Sequence, residues 1–203
     1  MFIVIVFTVT EIFISGCSMN KEIQQNSVIE PKRVVVVEFS DASQYSYGKI
    51  PYDASELLEQ ALTKTGQITV IPRKDWQANI DETMRDDAIS IGKVAGADVV
   101  IIGKIMDFYV DHDHNPEAPL LSQRHEYNAI THVKADLIEV AIARHLSTEL
   151  ATGTAEKRTT RFFREGPISV DAIHERSLLN EALQDAARQL AQHIVKQLHT
   201  QSL

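Results

Sequence analysis

Residues Ile91–Asp107 read IGKVAGADVVIIGKIMD, a helix end, a tight turn and a buried strand in immediate succession. Val99, Val100, Ile101 and Ile102 form a β-branched run closed by Gly103 and continued by Lys104, Ile105, Met106 and Asp107. Such a run suits a strand covered on both faces, although periodicity alone does not separate it from a short buried helix. Gly96 stands where a helix C′ residue takes a left-handed conformation, and Gly92 one turn earlier keeps the approach to the sheet slim. No side chain in the stretch has the makings of a catalyst.

Around this centre lies a chain of 203 residues, 44% hydrophobic, enough for one sizeable core. Lys and Arg number 20 against 28 Asp and Glu, and the resulting charge of −8 argues against nucleic acid or an anionic lipid surface as the main partner. Cys17 is the sole cysteine, which excludes an intramolecular disulfide and any multi-cysteine zinc site. It follows Phe13, Ile14, Ser15 and Gly16 after the apolar stretch Met1–Thr10, the order of apolar segment, small residues and cysteine. Ile14-Ser15-Gly16-Cys17 resembles the bacterial lipobox, in which cleavage leaves the cysteine as an acylated N-terminus. The other reading is an ordinary signal peptide or membrane anchor carrying an incidental cysteine. Each buried methylene of an acyl chain contributes about 0.8 kcal/mol, so a three-chain anchor keeps a protein on its membrane. Ser18 stands where an inner-membrane retention signal usually has Asp, so resemblance to sorted lipoproteins of enteric type implies the outer membrane. Residues 1–16 thus read as signal peptide, 17–31 as a polar tether, and 32–203 as a single periplasmic α+β domain.

Within that domain Arg33–Phe39 (RVVVVEF) predicts a first, central strand, followed by Ser40-Asp41-Ala42-Ser43. Asp53 and Glu56 predict a capping box opening a helix to Lys64, ended by Gly66. Gln67–Pro72 reads as a short strand, and Asp75–Asn79 as a helical turn bearing the sole tryptophan, Trp76. A helix opened by Asp81 or Thr83 and running to Ala95 turns Met84, Ala88, Ile91, Val94 and Ala95 inward. Asp111–Ser122 (DHDHNPEAPLLS) reads as a polar loop. Glu126–Ala143 and Glu149–Phe163 read as an antiparallel hairpin joined at His145–Thr148. Val170–His199 carries the cleanest helical signal, with Leu178, Leu179, Ala182, Leu183, Ala186, Leu190, Ile194 and Val195 on one stripe. The order βαβαβββα predicts an α+β sandwich on a mixed β-sheet.

Chemistry-bearing patterns are sparse. His112 and His114 alternate within Asp111-His112-Asp113-His114, and alternate residues of a strand share a face, so the pair is a candidate for two metal ligands with a third from elsewhere; the other reading is a solvated polar loop. His174-Glu175 lacks the second histidine of H-E-x-x-H, because Leu178 holds its place. No G-x-S-x-G, Walker or G-x-G-x-x-G pattern occurs. Lys157, Arg158, Arg161 and Arg164 form a basic patch on the second hairpin arm, a candidate interaction site or a charged edge strand that resists aggregation. The expectation is therefore no enzyme and no cofactor.

The lipobox, RVVVVEF with the Ser40-Asp41-Ala42-Ser43 after it, AGADVVIIGKI, the segment LSTELATG and the Ala/Leu-rich last helix together resemble the CsgG-like and LpoB-like family of bacterial outer-membrane lipoproteins. The resemblance covers nearly all of residues 32–198, with Ala97-Asp98 before the apolar run as its most specific piece. It implies a periplasmic fold like the N-terminal domain of TolB, without catalytic residues, and a non-catalytic scaffold of an envelope complex of secretion or flagellar type. A docking activator of a penicillin-binding protein is the alternative, and a metal-binding periplasmic protein a more distant one. It further implies an outer-membrane location through the lipid on Cys17, an envelope protein complex as partner, and a homo-oligomer. Channel members of the family add long amphipathic hairpins, and no obvious pair of additional segments of about ten alternating residues is visible here.

Overall fold

The computed structural model describes residues 30–43, 50–80, 87–118, 122–162 and 172–200, with side chains except at 113–118, 122–125, 159–162 and 172–174. Its strands are β1 (Arg33–Val36), β2 (Ser40–Asp41), β3 (Thr69–Val70), β4 (Val99–Ala118), β5 (Ser122–Glu139) and β6 (Arg144–Phe162). The helices are α1 (Ile50–Thr65), α2 (Arg73–Trp76), α3 (Ala88–Ala95) and α4 (Ala172–Thr200). The fold is α+β on one mixed sheet of order β3-β1-β4-β5-β6, with β2 beside β4. β1 runs parallel to β3 and β4, whereas β4, β5 and β6 are antiparallel, so the crossovers and the hairpins each leave their own pairing. The expected βαβαβββα order holds, with the small elements β2 and α2 added.

The β-branched runs are covered on both faces. Val34, Val36, Val99 and Ile101 face α1 and α4, joining Leu58, Leu62, Leu179, Leu183, Leu190 and Ile194 in the main core. Val35 and Val100 face the other way and pack with Trp76, Ile91, Ala97 and Val140. Gly96 ends α3 at φ 65°, and Ala97 N–H then donates to the Gly92 carbonyl at 2.9 Å, closing the helix as the sequence requires. A methyl on Gly92 would meet Val100 and Val140. Asp98 binds three strands at one corner. Its carboxylate accepts from Arg33 N–H at 2.8 Å, its N–H donates to the Arg33 carbonyl at 2.8 Å, and its carbonyl accepts from Val140 N–H at 2.9 Å. All eight stripe residues of α4 are buried.

Several boundaries differ from the sequence expectation. α1 begins at Ile50, which puts Asp53 inside the first turn instead of at a cap. α3 is capped by Asp87, whose side chain accepts from Ile89 N–H at 3.0 Å; residues 81–86, where the cap was expected, lie outside those described. Val94 is exposed, since the short α3 turns Ile91 and Gly92 to the sheet. β1 stops at Val36, and Ser40–Asp41 forms a strand, β2, by pairing with Lys104 and Ile105. The β5–β6 turn is Val140–Ala143, not His145–Thr148, and Ala143 takes φ 53° without being glycine.

The largest departure is at Asp111–Ser122. Residues 111–118 continue β4, and β5 begins at Ser122, so no polar loop spans this segment. Asp111 pairs with Asn128, His112 with Tyr127 and Asn115 with Arg124, after a bulge between Ile105 and Asp107. β4, β5 and β6 thus form a three-stranded ribbon of 20, 18 and 19 residues. The long pairing absent from the sequence reading is present here.

Candidate functional site

The two faces of the ribbon follow from its register. On one, Ile105, Val133 and Ala151 lie across from one another, as do Phe108, Thr131 and Gly153 in the next row, and α4 covers them. Gly153 is where the helix comes closest: a Cβ there would overlap the Ala182 carbonyl and the Ala186 nitrogen. On the other face lie the rows Lys104, Lys134, Leu150 and Tyr109, Ile130, Thr154. Among the described residues α2 and α3 pack on the part of that face formed by β1, the start of β4 and Val140 at the end of β5. Among the described residues no helix covers the remainder, and Met106, Leu150 and, at the hairpin turn, Ile142 are exposed, the last two by more than 60% of their surface.

Polar groups on the open face are tied down in pairs. Lys134 and Asp136 form an ion pair at 2.9 Å, and His132 Nδ1 lies 2.8 Å from Thr152 Oγ1. Burial works to raise the pKa of Asp136, but hydrogen bonds from Thr148, Lys134 and His145 outweigh it and hold the carboxyl below its ordinary value.

Of the residues singled out in the sequence, Arg158 sits on β6 within 3.4 Å of Glu126 and in contact with Glu156, so much of its charge is matched within the chain. Arg161 lies on β6, its side chain outside those described, and Arg164 and Cys17 lie outside the described residues altogether. His112 stacks on Tyr127 across the ladder, ring centroids 4.4 Å apart and 2° from parallel. His114 pairs with His125 in the backbone register, which puts both on the face of His112, whereas His132 belongs to the opposite face. Side chains at 114 and 125 are outside those described; among the described residues no three His, Cys, Asp or Glu cluster in a way that holds a metal ion.

The sequence reading missed a second polar centre, around Arg73. Its guanidinium donates to Ser55 Oγ at 2.6 Å, lies 3.6 Å from Glu38 and 3.9 Å from Glu59, and stands over the Tyr52 ring at 5.0 Å. Burial, only partly offset by the Arg73 charge, raises the Glu59 pKa from 4.5 to about 7. Beside this cluster a cleft of about 230 Å³ is lined by Val37, Glu38, Arg73, Trp76, Ile80 and Ile91. The Trp76 indole N–H is buried and has no acceptor among the described residues. Local sequence gives no hint of this centre, because its members come from α1, α2 and the segment after β1.

These features define a mixed-sheet α+β protein whose distinguishing parts are a long β-ribbon and one helix laid along it. The family model described as curli production assembly/transport component CsgG matches residues 17–203, and the chain belongs to that family. No curated protein matches it. Among solved structures, protein XCC0632 from Xanthomonas campestris is similar at 12% identity and TM-score 0.48, covering 85% of this chain and 88% of its own. A PelC dodecamer from Paraburkholderia phytofirmans has 12% identity and TM-score 0.43 over 79% of this chain and 84% of its own. The LpoB C-terminal domain from Salmonella enterica has 15% identity and TM-score 0.43 over 63% of this chain and 85% of its own.

Proposed function

We propose that this protein is a lipid-anchored, non-catalytic assembly component of a bacterial cell-envelope complex, facing the periplasm from the outer membrane and working as a homo-oligomer. The observation that carries the reading is the family match, which begins at residue 17, the position of the sole cysteine. Cleavage before Cys17 would leave residues 17–31 as a polar tether ahead of the domain at 32–203. For self-association the open face of the ribbon supplies apolar surface through Met106 and Leu150, the adjoining turn adds Ile142, and β6 is the last strand of the sheet among the described residues. Arg158 plays a smaller part than a free arginine would, since it must exchange Glu126 and Glu156 for a neighbour's carboxylate. An exposed pair contributes only about 0–1 kcal/mol, so apolar contact provides most of the affinity.

The anchor is tested by Cys17→Ser. The variant is expected to accumulate as uncleaved precursor or to leave the membrane fraction; normal processing and fractionation would refute the anchor. Affinity capture of the membrane-tethered protein with mass spectrometry then distinguishes a secretion or flagellar complex from a peptidoglycan synthase as partner.

A further inference from the structure

We propose that the cleft at the carboxyl ends of β1 and β3 is a binding site for a monoanionic carboxylate on a short apolar body, anchored by the Arg73 guanidinium. The topology creates the crevice. β1 connects through α1 to β3 on one side, and β3 returns through α2 and α3 to β4 on the other, with α1 and α3 on opposite faces of the sheet. In parallel sheets the carboxyl end of a strand whose neighbours depart to opposite faces is where ligands lodge. Val37 and Glu38 follow β1 directly and Arg73 lies just beyond β3, so the cleft occupies that end.

The donor inventory sets the ligand class. A guanidinium carries five N–H donors, and that of Arg73, 11% exposed, makes one hydrogen bond among the described residues, to Ser55. Glu38 and Glu59, at 3.6 and 3.9 Å, are beyond hydrogen-bond reach. Glu38 is 58% exposed and free to swing into solvent. Glu59, with its pKa near 7, is only partly ionised at neutrality and leaves the arginine charge incompletely matched. The same two acids repel a dianion such as phosphate, so a single negative charge fits best. Val37, Ile80, Ile91 and the Trp76 ring provide apolar walls. At about 230 Å³ the space is below the roughly 300–1,000 Å³ of pockets for drug-sized ligands, and suits one side-chain-sized group. A free short-chain acid and the C-terminal residue of a peptide share this chemistry.

Trp76 is the sole tryptophan and lines the cleft, so its fluorescence reports occupancy in the full mature protein. The probes are isovalerate, an acetylated tripeptide ending in leucine with a free carboxyl, and the amide of each. The acids are expected to give a saturable fluorescence change and the amides none, with the response lost in Arg73→Gln. Glu38→Gln removes an exposed competing carboxylate and is expected to tighten binding about threefold. This second variant keeps the test valid should Arg73→Gln fail to fold. Stronger binding of the tripeptide than of isovalerate identifies a chain terminus; the reverse identifies a free acid. Equal responses to acids and amides, a response matched by chloride at equal ionic strength, or unchanged affinity in Glu38→Gln would overturn the site.

Discussion

Gly153→Ala is predicted to be among the most damaging small substitutions in the ribbon. Gly153 lies on β6 in the row of Phe108 and Thr131, under α4, and an added methyl would occupy the space of the Ala182 carbonyl and the Ala186 nitrogen and Cβ. The obstacle is mainly helix backbone, so no rotamer change relieves it. Either α4 moves outward, loosening Leu179, Leu183, Leu190 and Ile194, or β6 bends away from β5. Overpacking a tight site costs about 1–3 kcal/mol and occasionally more, and a backbone clash puts this one at about 3 kcal/mol. For a domain of this size that is roughly a 6–12 °C fall in Tm. Gly66→Ala is the matched control: Gly66 also lacks a side chain, but at φ 65° with nothing within 4 Å of the added methyl, so its cost is the left-handed backbone alone, about 1 kcal/mol. Thermal and urea unfolding of both variants provide the measurement. A Gly153→Ala protein within about 0.5 kcal/mol of wild type, or less affected than Gly66→Ala, would refute the close packing of α4 on β6.

Three other outcomes follow from individual side chains. Glu59→Gln is expected to stabilise the protein increasingly as pH rises. The folded-state pKa of Glu59 is raised, so the stability it supports below about pH 4.5 is lost as pH climbs through about 7, and glutamine does not titrate. The shift corresponds to about 3 kcal/mol, which solvent access reduces to about 1–2; urea unfolding at pH 5 and pH 8 reads the difference, and equal effects at both would contradict it. Thr131→Val should gain about 1 kcal/mol, because the Thr131 hydroxyl is fully buried without a hydrogen-bond partner among the described residues, whereas the same change at exposed Thr152 should gain nothing. Thr148→Val removes a hydrogen bond that holds the Asp136 pKa below its ordinary value. Carbon-detected NMR titration should show that pKa rise, and acid unfolding should begin at higher pH, since stability from a depressed carboxylate is lost as pH falls through its folded-state value.

What was legible in the sequence was local. AGADVVII announces itself because a left-handed glycine, a capping geometry and a β-branched run are each decided by a few adjacent residues, and the α4 stripe because burial repeats with the helix. The antiparallel β5–β6 hairpin was legible, but the outer half of β4 was not. Residues 111–118 offer no apolar alternation, and Asp111 and His112 are exposed, so backbone pairing to β5, not burial, makes them a strand. The Val140–Ala143 turn was hidden for a related reason: it contains neither glycine nor proline, and Val140 is fixed by its long-range bond to Asp98. Arg73 was missed because its partners Ser55, Glu59 and Glu38 come from other elements, and only the fold gathers them.

The proposed role, an oligomer held to the envelope by its N-terminal lipid, is put to the test by mass photometry of detergent-extracted, acylated protein across a range of concentrations. One discrete assembly is expected, and Leu150→Lys is expected to disrupt it, because Leu150 contributes exposed apolar surface on the open face of the ribbon. A strictly monomeric acylated protein at every concentration would contradict it.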